Sequence, residues 1–282
     1  MVKGIYTGAS GMIANENELN SVANNLANVN TDGYKMETSV LKAFPEMLVK
    51  RLNDDGLVVF PLGSYDLGPV VGKMGTGVEF NEAFIRFEQG NLQETGNEFD
   101  FALEGQGFMS IMTPDGERYT RDGNFKISMD GFLVDKEGNK VLGENGPIQI
   151  GRNNFVIDNF GNVYVNADVP WDQFTDKTGN EWKNIVKLDK LKIVDFQEKR
   201  YLKREGYSMY AATELSGPAF VMPDNIKPKV YQGFVEKSNV NPVWEMTRMI
   251  EIQRLYEANQ KAIQTEDEML NKVINQVGRG MA

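Results

Sequence analysis

The chain contains neither cysteine nor histidine. Without cysteine there are no disulfides and no thiol nucleophile, so the fold is indifferent to the redox state of its compartment. Without histidine the commonest general base and metal ligand is missing, and with it the usual nucleophile–histidine–carboxylate triads and histidine metal sites. No apolar run reaches the length of about 18 residues that a membrane-spanning helix needs, so no membrane span is expected. The first residues lack the continuous apolar stretch of a secretory signal, because Gly8, Ser10, Gly11, Asn15 and Glu16 interrupt it. Positive charge is also scarce: 30 Lys and Arg against 40 Asp and Glu give a net charge of −10. That balance argues against nucleic acid, whose binding rests on basic surface, and against anionic membranes. One basic cluster, Lys190, Lys192, Lys199, Arg200, Lys203 and Arg204, is interrupted by Asp195, Glu198 and Glu205 and reads as a solvated strand face.

What the chain does have is an apolar repeat of seven at both ends. Ile5, Met12, Leu19 and Leu26 mark it at the start; Met249, Tyr256, Ile263, Leu270 and Val277 mark it at the end. On a helix with 3.6 residues per turn, such a repeat is a narrow stripe that needs a partner helix. The partners are either each other or the helices of neighbouring subunits, which points to assembly rather than catalysis. The first helix, residues 1 to about 30, is weakened by Gly4, Gly8 and Gly11, each costing about 1 kcal/mol relative to alanine. The last starts after Asn241, with Pro242 at its first position, where the missing N–H costs nothing. It runs to Val277 and stops at Gly278.

Between the helices two zones differ. Residues 36–90 hold no sustained period and many glycines and prolines, which predicts irregular connecting chain with short strands. Residues 91–228 carry the turn pairs Asp115-Gly116, Asp122-Gly123, Asp130-Gly131 and Glu137-Gly138 between short strand-like segments, the pattern of a meander or barrel. The expected fold is therefore α+β: discontinuous, coiled-coil-like terminal helices (1–35 with 230–282) flanking a mainly antiparallel β domain (91–228), joined by 36–90.

Candidate chemistry is sparse. Gly75-Thr-Gly77 and Gly105-Gln-Gly107 lack the third glycine and following helix of a phosphate cradle and read as tight turns. Asp158-Asn159-Phe160-Gly161-Asn162 lacks the terminal glutamate of a calcium loop and reads as a turn. The acid pairs Asp54/Asp55 and Glu266/Glu268 show no sign of burial. Tyr119-Thr120-Arg121 reads as a hairpin with a satisfied arginine. No catalytic, cofactor-binding or metal residue is assigned, and no cofactor is expected. Asn24, Asn25 and Asn28 resist a bland account: they either cap the helix end or hydrogen-bond across a helix interface.

Three motifs carry a resemblance. Residues 23–35, Ala-Asn-Asn-Leu-Ala-Asn-Val-Asn-Thr-Asp-Gly-Tyr-Lys, resemble a signature of the bacterial flagellar rod, hook and hook-associated family. Residues 102–108 with 119–125 are similar to its central β-domain motif, and Gly233–Asn241 to its C-terminal entry motif. The resemblance implies a non-enzymatic axial subunit of the basal body, with the rod favoured by chain length. Its partners would be copies of itself and other rod subunits, and flagellar type III export would carry it unfolded to the periplasmic space without a cleaved signal. The assembly interface would comprise Ile5, Met12, Leu19, Asn24, Asn25, Leu26, Asn28, Met249, Tyr256, Ile263, Leu270 and Val277. Val141–Ile148 is similar to proximal-rod members and Gln253–Asn259 to distal-rod members; the proximal rod is the expectation, the distal rod the alternative. A rival from another class is a secreted, β-rich, carbohydrate-active enzyme with oligomerisation helices. It would need a carboxylate pair in a cleft, and none stands at a recognisable spacing.

Overall fold

The computed structural model describes residues 2–50, 57–60, 63–66, 70–150, 155–166, 185–206, 208–223 and 225–279. For residues 2, 57–60, 63–66 and 276–279 only the backbone is described. Two compact units emerge: unit 1 from Met1–Ala23, Thr38–Ala83 and Val243–Ala282, and unit 2 from Asn24–Glu37 and Phe84–Pro242.

Unit 1 holds most of α1 (Val2–Ala27), almost all of α2 (Pro242–Arg279) and a β ribbon. The start of α2 at Pro242 is where the Asn-Pro signal places it. The two helices pack on each other antiparallel through α1's glycines. A Cβ on Gly8 would stand 2.9 Å from Ile263 Cγ1, one on Gly11 2.9 Å from Asn259 Nδ2, and one on Gly4 would overlap the Glu266 carboxylate. Further along, Arg248 Nη2 donates to Glu18 Oε1 at 2.6 Å. The positions 4, 8, 11, 15, 18, 22 and 25 follow a four–three alternation, which sets them on one side of α1. The glycines that lower helix propensity are thus the residues that admit α2 closely. Replacing Gly8 with valine should separate the helices and lower the helical content of the full chain by circular dichroism, while unit 2 melts unchanged.

The ribbon is built from nested pairs. The strands are β1 (Glu37–Ala43), β2 (Met47–Lys50), β3 (Leu57–Phe60), β4 (Gly63–Asp66), β5 (Val70–Met74) and β6 (Val78–Ile85). First pairs with last: β1 with β6, β2 with β5 and β3 with β4. So the described strands of the segment expected to be irregular chain with short strands pair in nested fashion, Met47 opposite Met74 and Leu57 opposite Asp66, with a register shift at Val49/Lys50. Leu48, Val70 and Val71 are exposed on it. A two-stranded ribbon of this kind is marginal alone in water.

The described strand pairs of unit 2 are antiparallel. Its strands are β7 (Leu92–Glu94), β8 (Phe101–Glu104), β9 (Phe108–Thr113), β10 (Gly116–Thr120), β11 (Lys126–Ile127), β12 (Leu133–Val134), β13 (Lys140–Val141), β14 (Phe155–Ile157) and β15 (Asn162–Asn166). They continue with β16 (Ile185–Lys190), β17 (Ile193–Asp195), β18 (Lys203–Glu205), β19 (Met209–Ala211), β20 (Phe220–Val221), β21 (Lys229–Gln232) and β22 (Phe234–Glu236). The main sheet runs β11-β12-β13-β9-β10-β19-β18, with β17 joining β9 to β20; β14-β15-β16 form a second sheet. Late strands return to early ones, β21 on β8 and β22 on β7. Phe101, Leu103, Ile111, Leu133, Phe155 and Ile193 fill one buried cluster, and Phe108, Tyr119, Phe196 and Tyr210 a second. Each such side chain contributes about 1.5–3 kcal/mol by leaving water.

The Asp115-Gly116 pair closes the β9–β10 hairpin, with Gly116 at φ +116. Asp122-Gly123 behaves differently. It closes no hairpin; the Phe101 N–H donates to the Gly123 carbonyl at 2.9 Å, so the backbone is pressed against β8. Among the described residues no helix is long and apolar enough to cross a membrane.

Candidate functional site

The three motifs meet in unit 2 around one buried carboxylate. Lys35 follows the turn at the end of the first motif, Arg121 directly follows β10 in the second, and Glu236 ends β22 in the third. Lys35 Nζ donates to Glu236 Oε1 at 2.5 Å and to the Glu88 carbonyl at 2.7 Å. Arg121 Nη1 donates to Glu236 Oε2 at 3.2 Å, and its Nη2 to the Gly105 carbonyl at 2.7 Å. The Gly90 N–H adds a third donor to Glu236 Oε1 at 2.8 Å. Lys35 and Glu236 are each 1 % exposed. Burial pushes the Lys35 ammonium and the Arg121 guanidinium below their ordinary values, against the pull of Glu236.

A neighbouring set of bonds repeats the same convergence. Asp32 accepts Lys237 Nζ at 2.7 Å and Asn124 Nδ2 at 2.7 Å, one partner from each of the other motifs. Gly33 stands at φ +69, its N–H donating to the Glu236 carbonyl at 2.7 Å; a Cβ there would overlap the Asp122 backbone. Asn239 Oδ1 accepts the Met36 N–H at 2.7 Å, while its Nδ2 reaches the Arg86 carbonyl at 3.0 Å. Arg204 lies over the Tyr34 ring, 4.4 Å from its centroid, and donates to the Lys35 carbonyl. Chemically this is a clasp: it fixes three distant segments by buried ion pairs and hydrogen bonds.

The asparagines divide by role. Asn25 is fully buried, with Oδ1 accepting the Tyr34 hydroxyl and the Glu37 N–H and Nδ2 donating to the Glu37 carbonyl at 2.8 Å. All three bonds lie inside the chain. Asn28 Nδ2 donates to the Asn24 carbonyl at 2.9 Å, and its Oδ1 accepts the Thr31 hydroxyl; Asn24 is exposed. Asn25→Ala strands Tyr34 and Glu37 groups in the interior, so unit 2 should lose about 1–3 kcal/mol in denaturant unfolding. An unchanged midpoint would remove Asn25 from the clasp.

Of the stripe residues, Ile5, Met12, Leu19, Leu26, Met249, Tyr256, Ile263 and Leu270 are half-buried, and the Val277 side chain lies outside the described residues. Ile263 is directed at Gly8 of the same chain. The apolar residues left exposed are others, among them Tyr6 and Ile13 on α1 and Met246, Ile250, Leu255, Met269 and Ile274 on α2.

The basic cluster does not form one solvated face. Lys190 is buried, Lys192 pairs with Glu117 at 2.7 Å, Lys199 with Asp195 at 2.9 Å, and Arg204 turns inward to Tyr34. The Asp158 turn is closed on itself: Asp158 accepts the Phe160 and Asn162 N–H groups at 2.9 Å, and despite its partial burial these bonds hold its carboxyl below the ordinary value. Burial pushes the Tyr210 hydroxyl up to about 12. An unfolded tyrosine ionises near 10, so Tyr210's contribution is complete below pH ~10 and falls away as pH rises towards ~12, by about 2–3 kcal/mol. Tyr210→Phe should flatten that alkaline loss in pH-dependent melting.

Each corner of the clasp falls in a different matched segment when the chain is compared with known proteins. A family model described as "Flagella basal body rod protein" matches residues 5–35, which hold Lys35. One described as "Flagellar hook protein FlgE/F/G D1 domain" matches 102–165, which hold Arg121, and "Flagellar basal body rod FlgEFG protein C-terminal" matches 231–277, which hold Glu236. The flagellar basal-body rod protein FlgG of Borreliella burgdorferi is 35% identical over 274 residues, covering 96% of this chain and 97% of the relative. FlgF of Caulobacter vibrioides is 30% identical over 280 residues, 99% of each chain. The hook-basal body complex protein FlhO of Bacillus subtilis is 30% identical over 294 residues, 99% of this chain and all of the relative. With similarity running through all three motifs and nearly end to end, this chain belongs to the flagellar basal-body rod protein family.

Proposed function

We propose that this rod subunit is of the proximal-rod, FlgF-like type, part of the drive shaft that carries torque through the periplasmic space. It polymerises with copies of itself and with other rod subunits, and the flagellar type III route delivers it as an extended chain, which an absence of cysteine suits. The observation that carries the assembly reading is that α1 and α2 satisfy each other along one seam and still leave long apolar side chains in water. Exposed apolar surface on that scale marks an interaction site. The proximal position rests on Val141–Ile148, where β13 leads into the buried Leu142 and Ile148. Gln253–Asn259 on α2 and the 35% identity to a FlgG favour the distal rod instead. Labelling the protein along isolated basal bodies tests the choice: label near the base of the shaft is expected, and label confined to the outer stretch would reassign it to the distal rod.

A further inference from the structure

Asn145 is the one asparagine in the chain that a glycine follows. It lies in the tight turn that leads from β13 to the buried Ile148. Across that turn the Gly143 N–H donates to the Gly146 carbonyl at 2.7 Å, and the Glu144 N–H donates to the Lys190 carbonyl at 2.8 Å. Gly146 stands at φ +138, a conformation that side chains rarely adopt, while a Cβ added there would meet nothing within 4 Å. The backbone, not a shortage of space, therefore asks for glycine. The Gly146 N–H has no hydrogen-bond partner among the described residues, and Asn145 is exposed. A backbone nitrogen in that position, with no side chain on its own Cα, is free to approach the amide carbon of the preceding residue.

One carboxylate opposes that approach. Asp189, buried at the end of β16, accepts Asn145 Nδ2 on Oδ1 at 2.8 Å and the Asn145 N–H on Oδ2 at 3.2 Å. A Cβ on Gly143 would overlap the same carboxylate, so the whole turn is seated on it. We propose that Asn145 is a deamidation site held shut by Asp189. When the turn lifts, the Gly146 nitrogen loses its proton to solvent and attacks Asn145 Cγ. A carbon–nitrogen bond forms, the Cγ–Nδ2 bond breaks, and the departing nitrogen takes up a proton and leaves as ammonia. Water then opens the cyclic imide at either carbonyl, giving aspartate or isoaspartate, and is the only co-reactant. Either product carries a carboxylate where Asp189 held an amide. Like charges at that range repel, so the turn does not settle back. The change runs one way and accumulates with the age of the molecule. It goes beyond the rod reading and does not depend on it, although it falls in Val141–Ile148, the segment on which the proximal assignment rests.

The test ages the full-length protein in warm, mildly alkaline buffer and maps it by trypsin and mass spectrometry. Cleavage after Lys140 and Arg152 isolates Asn145 as the single asparagine of its peptide. That peptide should show the amide-to-acid mass gain, with isoaspartate, before any other in the chain. Asp189→Ala should raise the rate roughly tenfold, the shift in open population expected when a charge-assisted hydrogen bond is lost. Circular dichroism melting establishes that this variant is folded. Asn145→Asp, which imitates one product, keeps the proposal testable if it is not. In that variant the Gly143 and Glu144 amides should exchange hydrogen faster by a similar factor, with β10 unchanged. Reversing the pair, as Asn145→Asp with Asp189→Asn, should restore native exchange. Mass gain at Asn145 no faster than at the other asparagines would overturn the site. A native rate in folded Asp189→Ala, or native exchange in Asn145→Asp, would overturn the role of Asp189.

Discussion

Glu236→Ala is expected to lower the melting transition of unit 2 by roughly 10 °C. The substitution leaves Lys35 and Arg121 buried with no carboxylate between them. Removing one partner from a buried charge network costs about 3–5 kcal/mol, because the remaining charges keep their desolvation penalty. In a unit of this size each kcal/mol shifts the midpoint by about 2–4 °C. Glu236→Gln should recover little of that, since a neutral amide keeps the shape without balancing two cations. The informative control removes all the charges: Lys35→Met, Arg121→Met and Glu236→Leu together should be milder than Glu236→Ala alone, as a cluster replaced by apolar groups carries no stranded charge. A shift below 2 °C for Glu236→Ala, or a triple variant worse than the single, would show that charge balance is not what the clasp supplies.

Gly123→Ala should be the most damaging methyl that can be added to this chain. Its Cβ would overlap the Phe101 carbonyl oxygen and lie 2.7 Å from the carbonyl carbon, both backbone atoms that no side-chain rotation can move aside. Phe101 is itself wholly buried in the main cluster, so relieving the overlap means moving β8 and its contacts. Losses beyond about 4 kcal/mol belong to this class of backbone clash, and insoluble expression or an unfolded unit 2 is the expected readout. Gly72→Ala provides the contrast. A Cβ there meets nothing within 4 Å, and the change should be neutral or stabilising by about 0.4–1 kcal/mol through the unfolded state. Similar melting of the two variants would mean that β8 is free to shift where it is drawn tight.

The features that could be read in advance are those written locally. Asn241-Pro242 marks the start of α2, and Asp115-Gly116 its hairpin, because caps and tight turns are decided by a few adjacent residues. The nested ribbon was hidden, since β2 is exposed along its whole length and shows no alternation between buried and exposed positions; its pairing depends on partners far along the chain. The helix seam was hidden for the opposite reason. Apart from Val22 its α1 side is made of glycine and polar residues, so a reading that ranks positions by apolarity selects Ile5, Met12, Leu19 and Leu26 beside it. The clasp was the least legible. Lys35, Arg121 and Glu236 are ordinary charged residues in three separate motifs, and nothing in any one motif states that the other two lie within hydrogen-bond reach.

The position of Glu236 near the far end of unit 2 has a consequence for the order in which the fold is made. A polypeptide that emerges N-terminus first presents Lys35 early and Arg121 midway, and both must wait for a carboxylate encoded some two hundred positions after the lysine. Two strand pairs wait as well, because β7 pairs with β22 and β8 with β21. The clasp therefore has no halfway form along the direction of synthesis, although the main sheet's strands all precede residue 222. Contacts spanning such sequence distances form late and slowly, so the clasp stays open until nearly all of unit 2 is present. Fragments ending before residue 229 should remain protease-sensitive around Lys35 and across β7 and β8, whereas those reaching 242 acquire protection there in a single step.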